Sequence, residues 1–251
     1  ANGVANPMPS DSPDAAMQAM AICARGTAYA KLKDESYAEY HAHLDDSSLC
    51  QVYNNVAETD ASIRAVKDTY GLVPTYRGTL IVPMTFNTSF GTTCTNAEIW
   101  GGDAYSYLES NVENLDKDKI DLSDEADFEA FLTESDAYTI IDKDSPYYRW
   151  DITFTQEEMT DAIETVLENR KSLMADAILV EDETGEFVSA DVPELGTVTE
   201  IEVAERTVSG VVSKLVIHGS EHTISISGQS NIRAILNPVN QEIVRQDGST
   251  V

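Results

Sequence analysis

The chain has 251 residues, 42% of them apolar and 24% charged, which is the composition of a folded globular protein and excludes disorder throughout. Its 44 acidic residues outnumber its 16 basic residues, and the formal net charge of −28 would repel phosphate backbones and anionic lipid surfaces. We therefore expect neither nucleic acid nor a membrane surface as the main ligand. No apolar run approaches the roughly 18 residues that a membrane-spanning helix needs, so no membrane segment is predicted.

A long first helix is predicted from Ser12-Pro13-Asp14, where Ser12 supplies a capping hydroxyl, to about Leu32. Its residues are apolar nearly all round, and a helix without a polar face is expected to be buried. We therefore predict that it is the central helix of the domain. Gly26 within this helix costs about 1 kcal/mol relative to alanine, which predicts the close approach of a neighbouring group.

A second helix and a hairpin are predicted next. The helix covers Ala61–Tyr70, with Asp60 as its cap and Gly71 at its end. Arg77-Gly78 forms the turn between two strands, which are Leu72–Tyr76 and Leu80–Phe86. Residues 89–96 are predicted to form a loop.

The middle of the chain is strongly acidic. Between Gly101 and Glu200 it holds 28 acidic residues and 6 basic ones, as expected of a solvated surface. Three elements are predicted within it: a helix over Glu125–Glu134 capped by Ser123, a strand over Tyr147–Phe154, and a helix from a Thr155/Glu158 capping box to about Asn169. We predict a single domain over residues 1–251, in which residues 111–195 form an acidic insertion-like segment.

The C-terminal part has the pattern of a β-meander. Its predicted strands are Thr197–Glu205, Val211–His218 and His222–Ser227, and a short helix over Gln229–Leu236 follows. The fold class is therefore α+β, with a central buried helix packed on an antiparallel β-sheet and a C-terminal β-meander.

Residues from many parts of the chain match one family signature in the correct order. Met8-Pro9-Ser10 and Pro13 are followed along the first helix by Ala16, Ala19, Ala21, Ala24-Arg25 and Ala28. Further matches are Cys50-Gln51-Val52-Tyr53, Asp68-Thr69-x-Gly71-x-Val73, Tyr76-x-Gly78, Ile81, Ser89, Gly91, Thr93, Trp100-Gly101, Tyr107-Leu108-x-Ser110, Ser209-Gly210, Ser227-Gly228 and Arg233-x-x-Leu236. The chain thereby resembles the SpoIID/LytB (stage II sporulation protein D) family, whose signature reads roughly E-M-P-x-x-x-P-x-E-A-L-K-A-Q-A-x-A-A-R-T-Y-A.

The resemblance implies a cell-wall protein. Family members act as lytic transglycosylases that cleave peptidoglycan glycan strands, preferring strands without stem peptides, outside the cytoplasm during spore engulfment. One carboxyl group protonates the leaving glycosidic oxygen and then accepts the proton of the sugar hydroxyl that closes an anhydro ring. Glycan strands are therefore the implied partner, and the implied location is extracytoplasmic.

The departures from the family pattern concentrate at its cleft positions. Pro7 stands where the family has its catalytic glutamate, and a proline side chain can neither donate nor accept a proton. The other departures are Gln18 for lysine, Met20 for glutamine, Gly26-Thr27 for Thr-Tyr, Thr85 for tyrosine, Asn87 for serine and Phe90 for glycine. We therefore expect a catalytically impaired protein, either a natural pseudoenzyme or an engineered variant, that still binds glycan.

The candidate cleft residues follow from the same resemblance. They are Gln18, Arg25, Thr27, Gln51, Tyr53, Thr85, Asn87, Ser89, Phe90, Gly91 and Thr93. Two interpretations of Arg25 remain open: it grips a sugar or carboxylate oxygen, or it is the ion-pair partner of an acid on a buried helix. Trp100 could stack on a sugar ring, but its apolar neighbour Ile99 favours a place in the core.

Two alternatives to an impaired glycan-binding protein remain. Pro7, Met20, Pro83, Met84 and Phe90 would together make an apolar pocket for a neutral or apolar small molecule. Alternatively, Asp11 or Asp14 has taken over as the acid of an active transglycosylase. No cofactor is expected; relatives that bind zinc exist, but His41, His43 and Cys50 supply three ligands where structural zinc takes four.

Overall fold

The computed structural model describes residues 8–46, 50, 55–112, 120–134, 138–170, 175–237 and 240–251, without the side chains of 111, 112 and 168–170. The chain divides into two compact units, Ala1–Asn87 and Thr88–Val251. The prediction of one domain with an acidic insertion stays a prediction, because compact units within a chain need not be separate domains.

The first unit is built on two helices, α1 (Asp14–Lys31) and α2 (Asp60–Asp68). Met17 and Ala21 of α1 pack against Ala65 of α2 and form a small buried core. The prediction of a helix buried on all sides is wrong in this unit, because three residues of α1 are buried and Tyr29 is 50% exposed. Alanine misleads here, since it is both apolar and the best helix former, and an alanine-rich helix therefore tolerates an exposed face.

The helix caps differ from those predicted. Pro13 occupies the N-cap of α1, and no side chain caps this helix, so Ser12 does not have the predicted role. At α2 the cap is Thr59 rather than Asp60: the Thr59 hydroxyl accepts from the Ser62 backbone N–H, and the Ser62 hydroxyl accepts from the Thr59 N–H. A short 3₁₀ helix, Ala38–Tyr40, lies between the two helices in the chain.

The predicted close approach at Gly26 is confirmed. A Cβ atom at this position would lie 2.7 Å from both Cδ and Cγ of Pro74, so any side chain there would displace the segment that leads into the hairpin. The hairpin itself is shorter than predicted, with strands β1 (Thr75–Tyr76) and β2 (Thr79–Leu80). Its turn residues Arg77 and Gly78 both have positive φ, as a two-residue hairpin turn requires.

The second unit contains a five-stranded antiparallel sheet. Its strands are β6 (Ile178–Glu181), β7 (Phe187–Val188), β8 (Val198–Arg206), β9 (Val212–Gly219) and β10 (Thr223–Ser227), in the spatial order β7-β6-β10-β9-β8. The predicted meander is confirmed as β8, β9 and β10, which pair in sequence order. Strands β6 and β7 were not predicted, because they are short and lie in the acidic segment.

Two helices, α5 (Gln156–Arg170) and α6 (Gln229–Ile235), cover one face of this sheet. Ile163 and Leu167 of α5 and Ile232 and Ile235 of α6 pack into a core with the inward-facing strand residues. The predicted capping box at the start of α5 is confirmed: the Thr155 N–H donates to the Glu158 carboxylate, and the Thr155 hydroxyl accepts from the Glu158 N–H.

A second, smaller core lies in the same unit. It consists of Leu122, Phe131, Ile140 and Tyr148, and Phe90 and Phe128 pack against it. The remaining elements of this unit are β3 (Thr92–Thr93), α3 (Asn96–Trp100), β4 (Asn111–Val112), α4 (Glu125–Thr133), β5 (Trp150–Asp151) and β11 (Val244–Arg245).

The structure corrects three predictions here. The predicted loop of residues 89–96 contains a strand and the start of α3, Asp124 rather than Ser123 caps α4, and the strand predicted from Tyr147 is restricted to β5. Across the described ranges, no helix combines the length and apolar character that crossing a membrane requires.

Candidate functional site

Three of the predicted site positions lie outside the described residues. They are Pro7, at the family's acid position, and the candidate cleft residues Gln51 and Tyr53. Their roles stay predictions. The other candidates divide between the two units: Gln18, Arg25, Thr27, Thr85 and Asn87 belong to the first, and Ser89, Phe90, Gly91 and Thr93 belong to the second.

Arg25 continues the face of α1 that packs on α2, one turn beyond Ala21. Its guanidinium donates to the backbone carbonyls of Thr69 (2.8 Å), Leu72 (2.6 Å) and Val66 (3.3 Å), and to the Thr69 hydroxyl (3.3 Å). The Val66 and Thr69 carbonyls lie at the C-terminal end of α2, where backbone acceptors have no partner within the helix, and the Leu72 carbonyl belongs to the segment that follows. Arg25 therefore joins the two helices by capping one with a side chain of the other.

Neither interpretation of Arg25 anticipated this arrangement. The guanidinium of Arg25 is bound by backbone carbonyls, whereas a buried ion pair would have placed a carboxylate beside it. Its role in a ligand cleft stays a prediction.

The other candidates of the first unit are more accessible. Gln18 and Thr27 are half-buried on α1, whereas Thr85 and Asn87 are exposed near the end of the unit. Met20, one of the residues proposed for an apolar pocket, packs partly buried against the Met17 core.

Ser89, Phe90 and Gly91 are held in place by the second unit. The Ser89 N–H donates to the Asp142 carboxylate at 2.7 Å, and the Ser89 hydroxyl accepts from the Gly91 N–H at 3.1 Å. The Phe90 ring packs edge-on against Phe131, with ring centroids 6.4 Å apart. The segment therefore contributes to the packing of the smaller core, whatever else it does.

Gly91 has a specific packing reason to be glycine. Its φ is +115°, and a Cβ atom built there would lie 2.7 Å from Cζ of Phe131. Thr93 follows in β3, which pairs with β4. The backbone of this segment thus approaches an aromatic ring more closely than any residue with a side chain allows.

The carboxylates near position 7 are surface groups. Asp11 and Asp14 are exposed, and Asp14 lies 3.7 Å from the guanidinium of Arg64 on α2. An acid at the first turn of a helix is stabilised by the helix dipole, which accounts for Asp14 without a catalytic role.

The cysteine and histidine candidates do not converge. The Tyr37 hydroxyl donates to Asp45 at 2.6 Å, and Cys50 lies 3.7 Å from the same hydroxyl. This carboxylate contact raises the pKa of Tyr37. His41 and His43 are exposed, and within the part of the chain that the structure describes, no group of three or more potential metal ligands is present.

Sequence analysis missed a carboxylate network around Glu98. The Glu98 side chain accepts from the Thr95 N–H (2.7 Å), the Thr95 hydroxyl (3.0 Å), the Ser110 hydroxyl (2.6 Å) and the Ser209 hydroxyl. Burial alone would raise the pKa of Glu98, but these donors outweigh it and lower the pKa to about 2. The spacing of Thr95 and Glu98, a capping box, was the signal that could have revealed it.

The expectation that Trp100 lies in the core is wrong. Trp100 ends α3 and is 62% exposed. Its apolar neighbour Ile99 is half-buried, because successive helix residues point about 100° apart and the two therefore share no face.

Two family models match parts of the chain. The model described as "SpoIID: Stage II sporulation protein" matches residues 2–76, and the model described as "Domain of unknown function (DUF8618)" matches residues 94–182. Residues 2–76 are thus similar to the SpoIID family, a sporulation-related family of cell-wall lytic proteins, and this similarity points to an extracytoplasmic location. The signature residues beyond position 76 lie outside that match. A search of curated proteins finds no match to the chain.

Proposed function

We propose that the protein binds peptidoglycan glycan strands outside the cytoplasm and descends from lytic transglycosylases, but lacks most or all of their catalytic activity. One observation carries the proposal: the SpoIID match over residues 2–76 includes position 7, where this chain has proline. In the family pattern this position holds the glutamate that protonates the leaving oxygen, and a proline side chain cannot transfer a proton.

The loss of the acid is compatible with continued binding. A general acid accelerates glycoside cleavage by stabilising the transition state, whereas affinity for the glycan depends on many other contacts. The charge of −28 also suits a neutral ligand better than an anionic one, and glycan strands without stem peptides have lost the carboxylates of those peptides.

The test measures binding and cleavage separately. The full chain is incubated with glycan strands stripped of stem peptides; co-sedimentation reports binding, and mass spectrometry reports anhydro-sugar ends. We expect binding without anhydro products. Robust release of anhydro-sugar ends would refute catalytic impairment, and loss of the release in Asp11→Asn or Asp14→Asn would then identify a relocated acid.

Restoring the acid tests the cleft directly. We expect that Pro7→Glu alone does not restore cleavage, because Gln18 and Thr85 still replace the family's lysine and tyrosine. Pro9→Glu is the matched control, since it adds the same charge two residues away at an exposed position. Cleavage at family-like rates in Pro7→Glu but not in Pro9→Glu would show that the rest of the cleft is intact.

A further inference from the structure

The second unit contains a pocket of about 620 Å³ beside the end of α3. This volume is typical of small-molecule sites. Its lining includes Trp100, Gly101, Gly228, Gln229 and Asn231. Lysine and arginine do not contribute to the lining, so the pocket offers no counter-charge to an anion.

Trp100 lines this pocket from a backbone segment that is held at both ends. Its helix is capped at the start by the Thr95/Glu98 box, and the loop after it is tied down by Asn96. The Asn96 amide donates to the Asp103 carbonyl at 2.9 Å and accepts from the Tyr105 N–H at 2.7 Å. Because the backbone that carries Trp100 is already held in place, a ligand that covers the indole does not have to order this loop.

The glycines beside Trp100 keep the approach to the pocket open. Gly101 follows Trp100 with a φ of +75°, and Gly228 contributes to the lining with a φ of +89°. Neither position carries a side chain that would fill the space next to the indole. The flat apolar surface of the ring is therefore available to a ligand that is itself flat and apolar on one side.

The polar groups available in the pocket are neutral. Within the described residues, neither the indole N–H of Trp100 nor the amide of Gln229 has a hydrogen-bond partner. The Asn231 amide nitrogen donates to the Ser227 carbonyl at 2.9 Å, which leaves its oxygen as an acceptor. Glu98 also contributes to the lining, but both of its oxygens already accept hydrogen bonds.

We propose that this pocket binds one or more neutral sugar units, stacked on the Trp100 indole and held by the amides of Gln229 and Asn231. A pyranose ring matches the lining because its C–H groups make one face apolar, while its rim carries hydroxyl groups that donate and accept hydrogen bonds. A cation would gain from the indole face but would compete with four donors for the Glu98 carboxylate.

All the residues that line this pocket belong to the second unit. The inference is drawn from the residues that line the pocket. It rests on the proposed function only for the kind of ligand, since both name a glycan. The experiment therefore has one readout for the pocket and another for glycan-strand binding.

The two tryptophans of the chain allow the pocket to be observed selectively. Trp150 is 57% exposed in the same unit and does not line the pocket, so Trp150→Phe leaves Trp100 as the single reporter and Trp100→Phe leaves Trp150. The test is to titrate each variant of this chain with the N-acetylglucosamine tetramer and to record tryptophan emission. We expect a saturable shift in Trp150→Phe and none in Trp100→Phe.

Gln229→Ala, made in the Trp150→Phe background, tests the amide while retaining the reporter. We expect about fivefold to tenfold weaker binding of the tetramer, as for the loss of one hydrogen bond. An unchanged Trp100 emission at saturating tetramer would overturn the inference, as would equal affinity in Gln229→Ala. A Trp100 response to tetramethylammonium without one to the tetramer would identify a cation site and overturn it as well.

Co-sedimentation with denuded glycan strands separates the two proposals. If Trp100 responds to the tetramer but the chain does not sediment with strands, the proposed function fails and the pocket inference stands. If the unchanged chain and Trp100→Phe sediment equally well with strands, and the emission of Trp100 does not respond to the tetramer, the pocket inference fails and the proposed function stands.

Discussion

Replacing Arg25 by alanine should destabilise the junction between α1 and α2. The variant removes two short charge-assisted hydrogen bonds, to the carbonyls of Thr69 (2.8 Å) and Leu72 (2.6 Å). Such bonds contribute about 1.5–3 kcal/mol each when buried, and because this guanidinium is partly exposed we expect about 2 kcal/mol in total. That corresponds to a roughly thirtyfold larger equilibrium constant for the opening of α2.

Amide hydrogen exchange measured by mass spectrometry reports this opening locally, on peptides that cover residues 60–72. Arg64→Ala is the matched control, because Arg64 is exposed and its ion pair with Asp14 spans 3.7 Å, so it should change exchange less than about twofold. Arg25→Lys should recover only part of the protection, since an ammonium group cannot bridge several carbonyls as the guanidinium does.

Exchange in Arg25→Ala that matches Arg64→Ala would refute the capping role. The guanidinium would then be free to contact a ligand, as the cleft interpretation requires. Reduced sedimentation with glycan strands in Arg25→Ala, at unchanged exchange, would support that interpretation directly.

Two further predictions concern the second unit. Gly91→Ala should lower its free energy of unfolding by about 2–3 kcal/mol, because a Cβ atom would lie 2.7 Å from the Phe131 ring at a φ of +115°. Gly248→Ala shares a positive φ, +79°, but meets nothing within 4 Å, so it should lose about 1 kcal/mol; equal losses in urea unfolding followed by tryptophan fluorescence would contradict the packing argument. Glu98→Gln should lose about 1–2 kcal/mol at pH 7, because it weakens charge-assisted hydrogen bonds that solvent partly screens. The folded pKa of Glu98, about 2, lies below its ordinary value of 4.5, so the carboxylate stabilises the fold above pH 4.5 and this contribution is lost as the pH falls toward 2. Unfolding curves between pH 2 and 7 should therefore be flatter in Glu98→Gln, and parallel curves would refute the network's role.

Local patterns predicted much of the fold because they depend on neighbouring residues alone. The strand alternation of the meander, the Thr155/Glu158 capping box and the Arg77-Gly78 turn are all properties of short segments, and the structure contains each of them. The reason for Gly26 was also predictable, since a glycine inside a helix is unfavourable unless something lies close to it.

The site was less predictable because its contacts join distant parts of the chain. The partners of Arg25 are more than 40 residues away, and Ser209 reaches Glu98 across 111 residues. The neighbour of a residue also misled. Trp100 follows the apolar Ile99 and was therefore expected in the core, but it is exposed. Sequence spacing carries no information about such pairings, which depend on how the elements pack.

The long strand β8 is an edge strand of the five-stranded sheet and pairs only with β9 within that sheet. Its outward-facing positions include Glu200, Glu202 and Glu205, all exposed. If the β8 strand of a second molecule paired with this edge, the carboxylates of the two strands would lie close together. We expect this repulsion to prevent self-association at low ionic strength. Salt screens the repulsion, so self-association through this edge should appear only at high salt concentration.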